Sequence, residues 1–165
     1  MTHPVMLGQM GRQLQADARK RGPRRGRKED LIGALRNTAL FAFATDRDLR
    51  NVTKHAHTVD VDKGTTIVRE GEPGDRFYVV LEGLVRVTRN GRKVCDLGVG
   101  KSFGELALLA NMPRNATVTA VEDTEVVSFD RKTFAKVLDE SPLFARRLLE
   151  GVAKRLRECD AKAVQ

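Results

Sequence analysis

The sequence predicts a mainly β protein flanked by helices, folded as a sandwich or jelly-roll barrel, and three observations carry that prediction. Short runs of alternating or β-branched residues fill the middle of the chain, at 58–61, 65–69, 77–81, 84–88, 93–97, 116–121 and 125–129, the composition of half-buried strands. Turn formers separate them, namely Lys63-Gly64, Glu72-Pro73-Gly74-Asp75, Glu82-Gly83 and Asn90-Gly91, the last a strong hairpin signal. Long helical periodicity is confined to the two ends. Many short strands at regular spacing make a double-sheet all-β architecture.

At 165 residues the chain has room for one ordinary domain with a real core. Apolar residues make up 41% of it and no run approaches the roughly 20 apolar residues of a membrane span. The N-terminus has no apolar signal core. The pair Arg24-Arg25 precedes the apolar stretch 31–44, but Glu29, Asp30 and Arg36 break up that region and argue against an export signal. Cys95 and Cys159 lack metal or redox spacing, so reduced thiols in a cytoplasmic protein are expected.

The net charge of +8 belongs almost wholly to one segment. Between positions 12 and 28 stand eight basic residues and a single acid, Asp17, which leaves the remainder of the chain close to neutral. Residues 1–28 therefore read as a basic tail, expected to be disordered or at most weakly helical around 10–19. Such a tail contacts nucleic acid, acidic partners or an anionic membrane surface through charge alone, or is simply solvated. It has no aromatic residue to stack on bases, which weakens a specific single-strand reading.

Residues 29–56 read as a helical segment in two pieces. Leu31, Ile32 and Leu35 form one short apolar face; Thr45 and Asp48 make a capping box for a second helix through Leu49, Val52 and Ala56. Between them Leu40, Phe41 and Phe43 lie in an apolar connector that must pack against something. His55 and His57 share a face if extended, which raises a metal-binding barrel, but no carboxylate follows at a suitable spacing, so no metal site is expected.

The strands occupy 57–130, and two helices fill 131–165. Asp130 caps the first, which carries Phe134, Val137 and Leu138. Ser141-Pro142 starts the second as N-cap and first helical residue. Along it Ala145, Leu149, Val152, Leu156 and Cys159 recur at four-three spacing, a narrow apolar seam beside Leu148. An amphipathic helix of this kind ordinarily packs its seam on the chain's own body.

The chemistry concentrates in residues 102–118. Gly104 permits a close backbone approach, residues 105–109 suit one or two helical turns, Pro113 ends them, and Arg114 opens a strand-like run. Helix-start amides and a guanidinium together are what a singly charged phosphate needs. A carboxylate at the same mouth repels phosphate, so Glu105 makes sense if it accepts from a sugar hydroxyl. The plainer alternative is a Ser102–Glu105 capping box with Arg114 as a surface charge.

Phe103-Gly104-Glu105-Leu106-Ala107-Leu108-Leu109, then Pro113-Arg114, then Ala116-Thr117-Val118, closely resembles the phosphate-binding cassette of cyclic nucleotide-binding domains. The resemblance implies a jelly-roll (double-stranded β-helix) barrel of about eight strands, preceded by an N-terminal helical bundle and followed by C-terminal lid helices. It also implies that Glu105 accepts from the ribose 2′-hydroxyl and that Arg114 pairs with the cyclic phosphate. Amides near Gly104, Leu106 and Ala107 would complete the cradle, with Asn115 and Ala116 beside the arginine. Gly71, Gly74, Asp75 and Gly83 sit where the family places its turn residues, and Leu40, Phe41 and Phe43 would move on binding. The last helix would swing over the nucleotide, with Lys154 or Arg155 capping the purine face, or would form a dimer seam.

In that family Ala or Ser after the arginine accompanies cyclic AMP and Thr favours cyclic GMP; Asn115 fits neither pattern, and cyclic AMP is favoured by analogy. No nucleophile paired with a base, metal cluster or P-loop is evident, so no catalysis is expected. With neither a helix-turn-helix nor a kinase domain nor membrane spans in these residues, the expected function is a stand-alone cytoplasmic receptor, with no cofactor beyond its nucleotide ligand, that signals to a separate partner. The alternative is a ligand-free scaffold acting through its basic tail on nucleic acid or an acidic partner.

Overall fold

The computed structural model describes residues 27–164, and side chains for 29–158. The expected basic tail before Arg27 and the side chain of Cys159 lie outside the described residues.

Two helices, α1 (Arg27–Arg36) and α2 (Asp46–Thr53), flank a 3-10 turn at Ala39–Phe41. The Thr45–Asp48 capping box forms as expected, each side chain accepting from the other residue's amide. Eight strands follow: β1 (His57–Val61), β2 (Thr66–Val68), β3 (Arg76–Glu82), β4 (Val85–Arg89), β5 (Arg92–Leu97), β6 (Ser102–Phe103), β7 (Thr117–Ala120) and β8 (Thr124–Asp130). A second 3-10 turn, Glu105–Leu108, lies between β6 and β7. Helices α3 (Arg131–Glu140) and α4 (Pro142–Val164) close the chain, α3 capped by Asp130 as expected.

The antiparallel partners are β4 with β5, β3 with β6, β2 with β7 and β1 with β8. This is one long hairpin, turned at Asn90-Gly91, where both residues have positive φ, then wound on itself so that its limbs separate into two sheets. Their orders are β1-β8-β3-β6 and β2-β7-β4-β5. The expectation of a barrel needs correcting, because no described strand pairing joins one sheet to the other. The layers are open, and one edge strand of each offers little backbone for further pairing: β6 has two residues and β2 has three.

Alternation along β3 explains why the sheets hold two cores. Tyr78 and Val80 point between the sheets with Val85, Phe103, Val118 and Val126. Phe77 and Val79 point the other way, with Val127 and Phe129 of β8, into a layer covered by the helices. Both faces of these strands are buried, so they read as nearly continuous apolar runs rather than half-polar ones. Phe41 joins the helical layer to the sheet, its ring 5.9 Å from Phe77, 6.1 Å from Phe134 and 6.5 Å from Phe144.

Helix α4 turns a different face inward from the one its apolar seam suggests. Phe144 and Leu148 are buried, and a Cβ placed on Gly151 would lie 2.1 Å from the Leu40 carbonyl oxygen. Only glycine lets helix and 3-10 turn approach so closely. That contact sets the rotation of the helix, so the expected packing of this seam on the chain's own body occurs only in part: Val152 packs against the core while Leu149 and Leu156 stay 69% and 63% exposed. Arg147, one position from Leu148, pairs with Asp48 of α2 at 2.9 Å.

Candidate functional site

The cassette is built around the backbone of Arg114, which is pinned from both sides. Its N–H donates to the Glu72 carbonyl and its carbonyl accepts from the Gly71 N–H, each at 2.8 Å. The next carbonyl, that of Asn115, accepts from Arg89 Nε at 2.9 Å. Arg114 thus lies in an ordered loop, and the expected strand begins only at Thr117. Pro113 forms an isolated bridge with Pro73, joining this loop to the β2–β3 turn.

From that anchor the side chain runs into a space that two glycines keep open. A Cβ on Gly74 would lie 2.0 Å from Arg114 Nε, and one on Gly104 would lie 2.6 Å from its Nη1. Gly104 also has φ 79°, a left-handed conformation that side chains disfavour. Nη2 of Arg114 donates to the Arg76 carbonyl at 2.8 Å, which fixes the plane of the guanidinium. Among the described residues no carboxylate forms an ion pair with it. Burial pulls the Arg114 pKa below its usual range, and the charges of Tyr78 and Asp75 oppose that pull. Guanidinium nonetheless stays protonated. A half-buried guanidinium with no carboxylate in ion-pair contact keeps donors that an anion could accept.

The wall behind it is aromatic. Tyr78 and Phe103 stack at 5.1 Å with an interplanar angle of 19°. Burial raises the Tyr78 phenol pKa, against the lowering influence of Arg114.

Glu105 opens the second 3-10 turn. Gly104, not Ser102, is its cap, and no side chain caps it, so the plain capping-box reading of Ser102 and Glu105 does not hold; Ser102 sits in β6 opposite Val79. The turn is a single 3-10 element, shorter than the one or two helical turns expected, and it buries Ala107 and Leu108 while Leu106 stays 41% exposed. The Ala107 N–H donates to the Gly104 carbonyl. Asn115 is exposed beside Arg114 and Ala116 is buried. The Glu105 carboxylate meets the guanidinium of Arg155, which reaches it from α4. Lys154 is exposed on the neighbouring position.

The structure brings Gly104 to the Arg114 guanidinium, keeps Glu105 next to Gly104 on the 3-10 turn, and adds Gly74, the Arg76 carbonyl and Tyr78 around the arginine. Gly74 was legible only as a turn glycine; its role as the floor beneath the arginine depends on the fold. A carbonyl has no sequence signature at all. The pairing of Arg155 with Glu105 was likewise hidden, because the two residues are far apart in the chain.

The whole is a double-wound β-roll with a guanidinium cradled between two glycines at its cassette. The sequence model of the cyclic nucleotide-binding domain matches residues 58–141, and the chain belongs to that family. It is 36% identical over 126 residues to a cAMP-dependent protein kinase regulatory subunit of Yarrowia lipolytica, covering 76% of this chain and 34% of that protein. It is 31% identical over 128 residues to a CRP-like cAMP-activated global transcriptional regulator of Mycobacterium tuberculosis, covering 74% of this chain and 57% of the relative. Among solved structures, the N-terminal domain of a transcriptional regulator from Streptomyces coelicolor superposes with a TM-score of 0.70 at 34% identity, covering 78% of this chain and 95% of that one. The chain thus spans from about a third to just over half of the length of these curated relatives. No described helix is long and apolar enough to cross a membrane.

Proposed function

We propose that this chain is an intracellular, non-catalytic receptor for a cyclic nucleotide, with cyclic AMP favoured over cyclic GMP. The observation that carries the reading is the half-buried Arg114 guanidinium, held by the Arg76 carbonyl in space cleared by Gly74 and Gly104. The cyclic phosphate would bind there, and Glu105 would accept from the ribose 2′-hydroxyl. The relatives named for cAMP dependence or activation support the choice of ligand, while Asn115 is the position through which a guanine preference would enter. The response is a change in the surface presented by α4 and by the Leu40–Phe43 connector, read by a separate partner. A ligand shifts such an equilibrium only to the extent that it binds the two states unequally.

Titration calorimetry with cyclic AMP and cyclic GMP tests this reading. Saturable heat with cyclic AMP is expected, weaker heat with cyclic GMP, and a loss of about a hundredfold in affinity in Arg114→Ala, the range for removing a buried charged hydrogen-bonding partner. Silence with both nucleotides in the folded protein would overturn the receptor and leave the scaffold acting through its basic tail.

A further inference from the structure

The contact between Arg155 and Glu105 is the feature that the nucleotide reading does not absorb. A carboxylate beside a phosphate site is an electrostatic obstacle: like charges a few ångströms apart in a partly dry pocket disfavour one another strongly. Glu105 is only 16% exposed at its side chain, so water screens little of that repulsion. The structure answers the obstacle from the far end of the chain. Arg155 falls on the same inward stripe of α4 as Phe144, Leu148 and Gly151, at four-three-four spacing, so the packing that buries the two apolar residues also carries the guanidinium toward the cassette. Its Nη1 contacts Oε1 of the carboxylate. An ionised carboxylate has about four acceptor sites on two oxygens, and Oε2 has acceptor capacity for a hydroxyl while Oε1 is held.

We propose, resting on the receptor reading above, that Arg155 is a positioning residue for nucleotide binding: it neutralises Glu105 toward the incoming phosphate and holds its carboxylate so that Oε2 faces the sugar. The assignment differs from a purine cap, since the guanidinium acts through Glu105 rather than on the base. It also gives a physical reason for coupling between ligand and helix. Docked α4 supplies the counter-charge that makes the cassette receptive, and by reciprocity the bound nucleotide stabilises α4 in its docked position. The second ion pair of the helix, Arg147 with Asp48, lies about two turns earlier and is not part of this exchange.

The test is a double-mutant cycle in the full chain, with cyclic AMP titrated into wild type, R155M, E105Q and the double variant. R155M should bind about tenfold more weakly, the order of one charge-assisted contact, and Arg155→Lys should restore most of the loss. In the E105Q background, where no carboxylate charge remains to be neutralised, R155M should have little further effect. Hydrogen exchange of residues 142–158 should slow on adding cyclic AMP to wild type, and less so in R155M. Equal or tighter binding by R155M would overturn the proposal, because Arg155 would then compete with the ligand for Glu105. The same loss in both backgrounds would also overturn it, by showing that Arg155 acts through packing alone. Wild type that binds neither cyclic nucleotide removes the receptor reading and this one together, whereas binding in wild type with R155M unchanged removes only this one.

Discussion

The helix-covered aromatic layer and the cassette meet at Leu108, which the cassette's 3-10 turn buries in that layer, yet they are held by different forces. On one side Phe41, Phe77, Phe134 and Phe144 fill space with apolar surface and are at most 3% exposed. On the other, the backbone of Arg114 and Asn115 is fixed by three hydrogen bonds and its side chain carries a charge into a gap that two glycines leave open. The first region is satisfied within the chain; the second is not. The contrast teaches that close apolar packing holds the one region and backbone hydrogen bonds hold the other, so substitutions should act differently on the two.

The largest expected effect is at the layer. Phe41→Ala removes the ring that links turn, sheet and both C-terminal helices, and should lower unfolding free energy by about 3–5 kcal/mol, measured by urea denaturation. Its folded fraction should also bind nucleotide more weakly, because Phe41 packs on Phe144 of α4, whose docking is coupled to the ligand. Unchanged binding in fully folded Phe41→Ala would show that the layer does not transmit to the cassette. Arg114→Ala differs, with affinity lost and the denaturation midpoint little changed.

Gly74→Ala tests whether the gap is required. The added methyl would meet the arginine at 2.0 Å, so the guanidinium must move, at a cost of about 1–3 kcal/mol if the surroundings do not yield. An affinity loss of about tenfold, alongside that loss of stability, is expected in parallel calorimetry and denaturation. A normal affinity would mean that the arginine has another productive position.

The smallest effect is at the edge of the helix-covered layer, where Asp130 ends β8 and caps α3. Burial raises its pKa, but the Thr133 amide and hydroxyl bonds outweigh that and leave it below the usual carboxylate value. A depressed folded pKa means that the stabilisation is present above the unfolded value and is lost as pH falls through the folded one. Asp130→Ala should therefore cost about 1 kcal/mol at neutral pH, and its stability curve should converge on that of wild type in strong acid. A constant offset at every pH would show that the cap contributes through something other than its charge.

Much of this was legible before any coordinates. Alternation and turn residues locate the strands other than β6, which is too short to alternate, and Asn90-Gly91 marks the tip of the long hairpin. The caps at Thr45 and Asp130 follow from residue type at a fixed offset. The cassette stands out because Gly104, Glu105, Pro113 and Arg114 recur at fixed spacing within a single short stretch, where local sequence is enough to assemble a motif.

What the sequence determined by itself, then, is what depends on neighbours in the chain: where strands alternate, where helices begin, and which residues form the cassette. Tertiary structure decided the rest. It left the two sheets open, set Gly74 beneath Arg114, and brought Arg155 to Glu105. Helix α4 shows the physical reason. Its sequence offers two parallel stripes at the same spacing, one through Phe144 and Leu148 and one through Ala145 and Leu149, and periodicity cannot rank them. The close approach of Gly151 to Leu40 selects the first, turning an arginine inward and leaving two leucines outside.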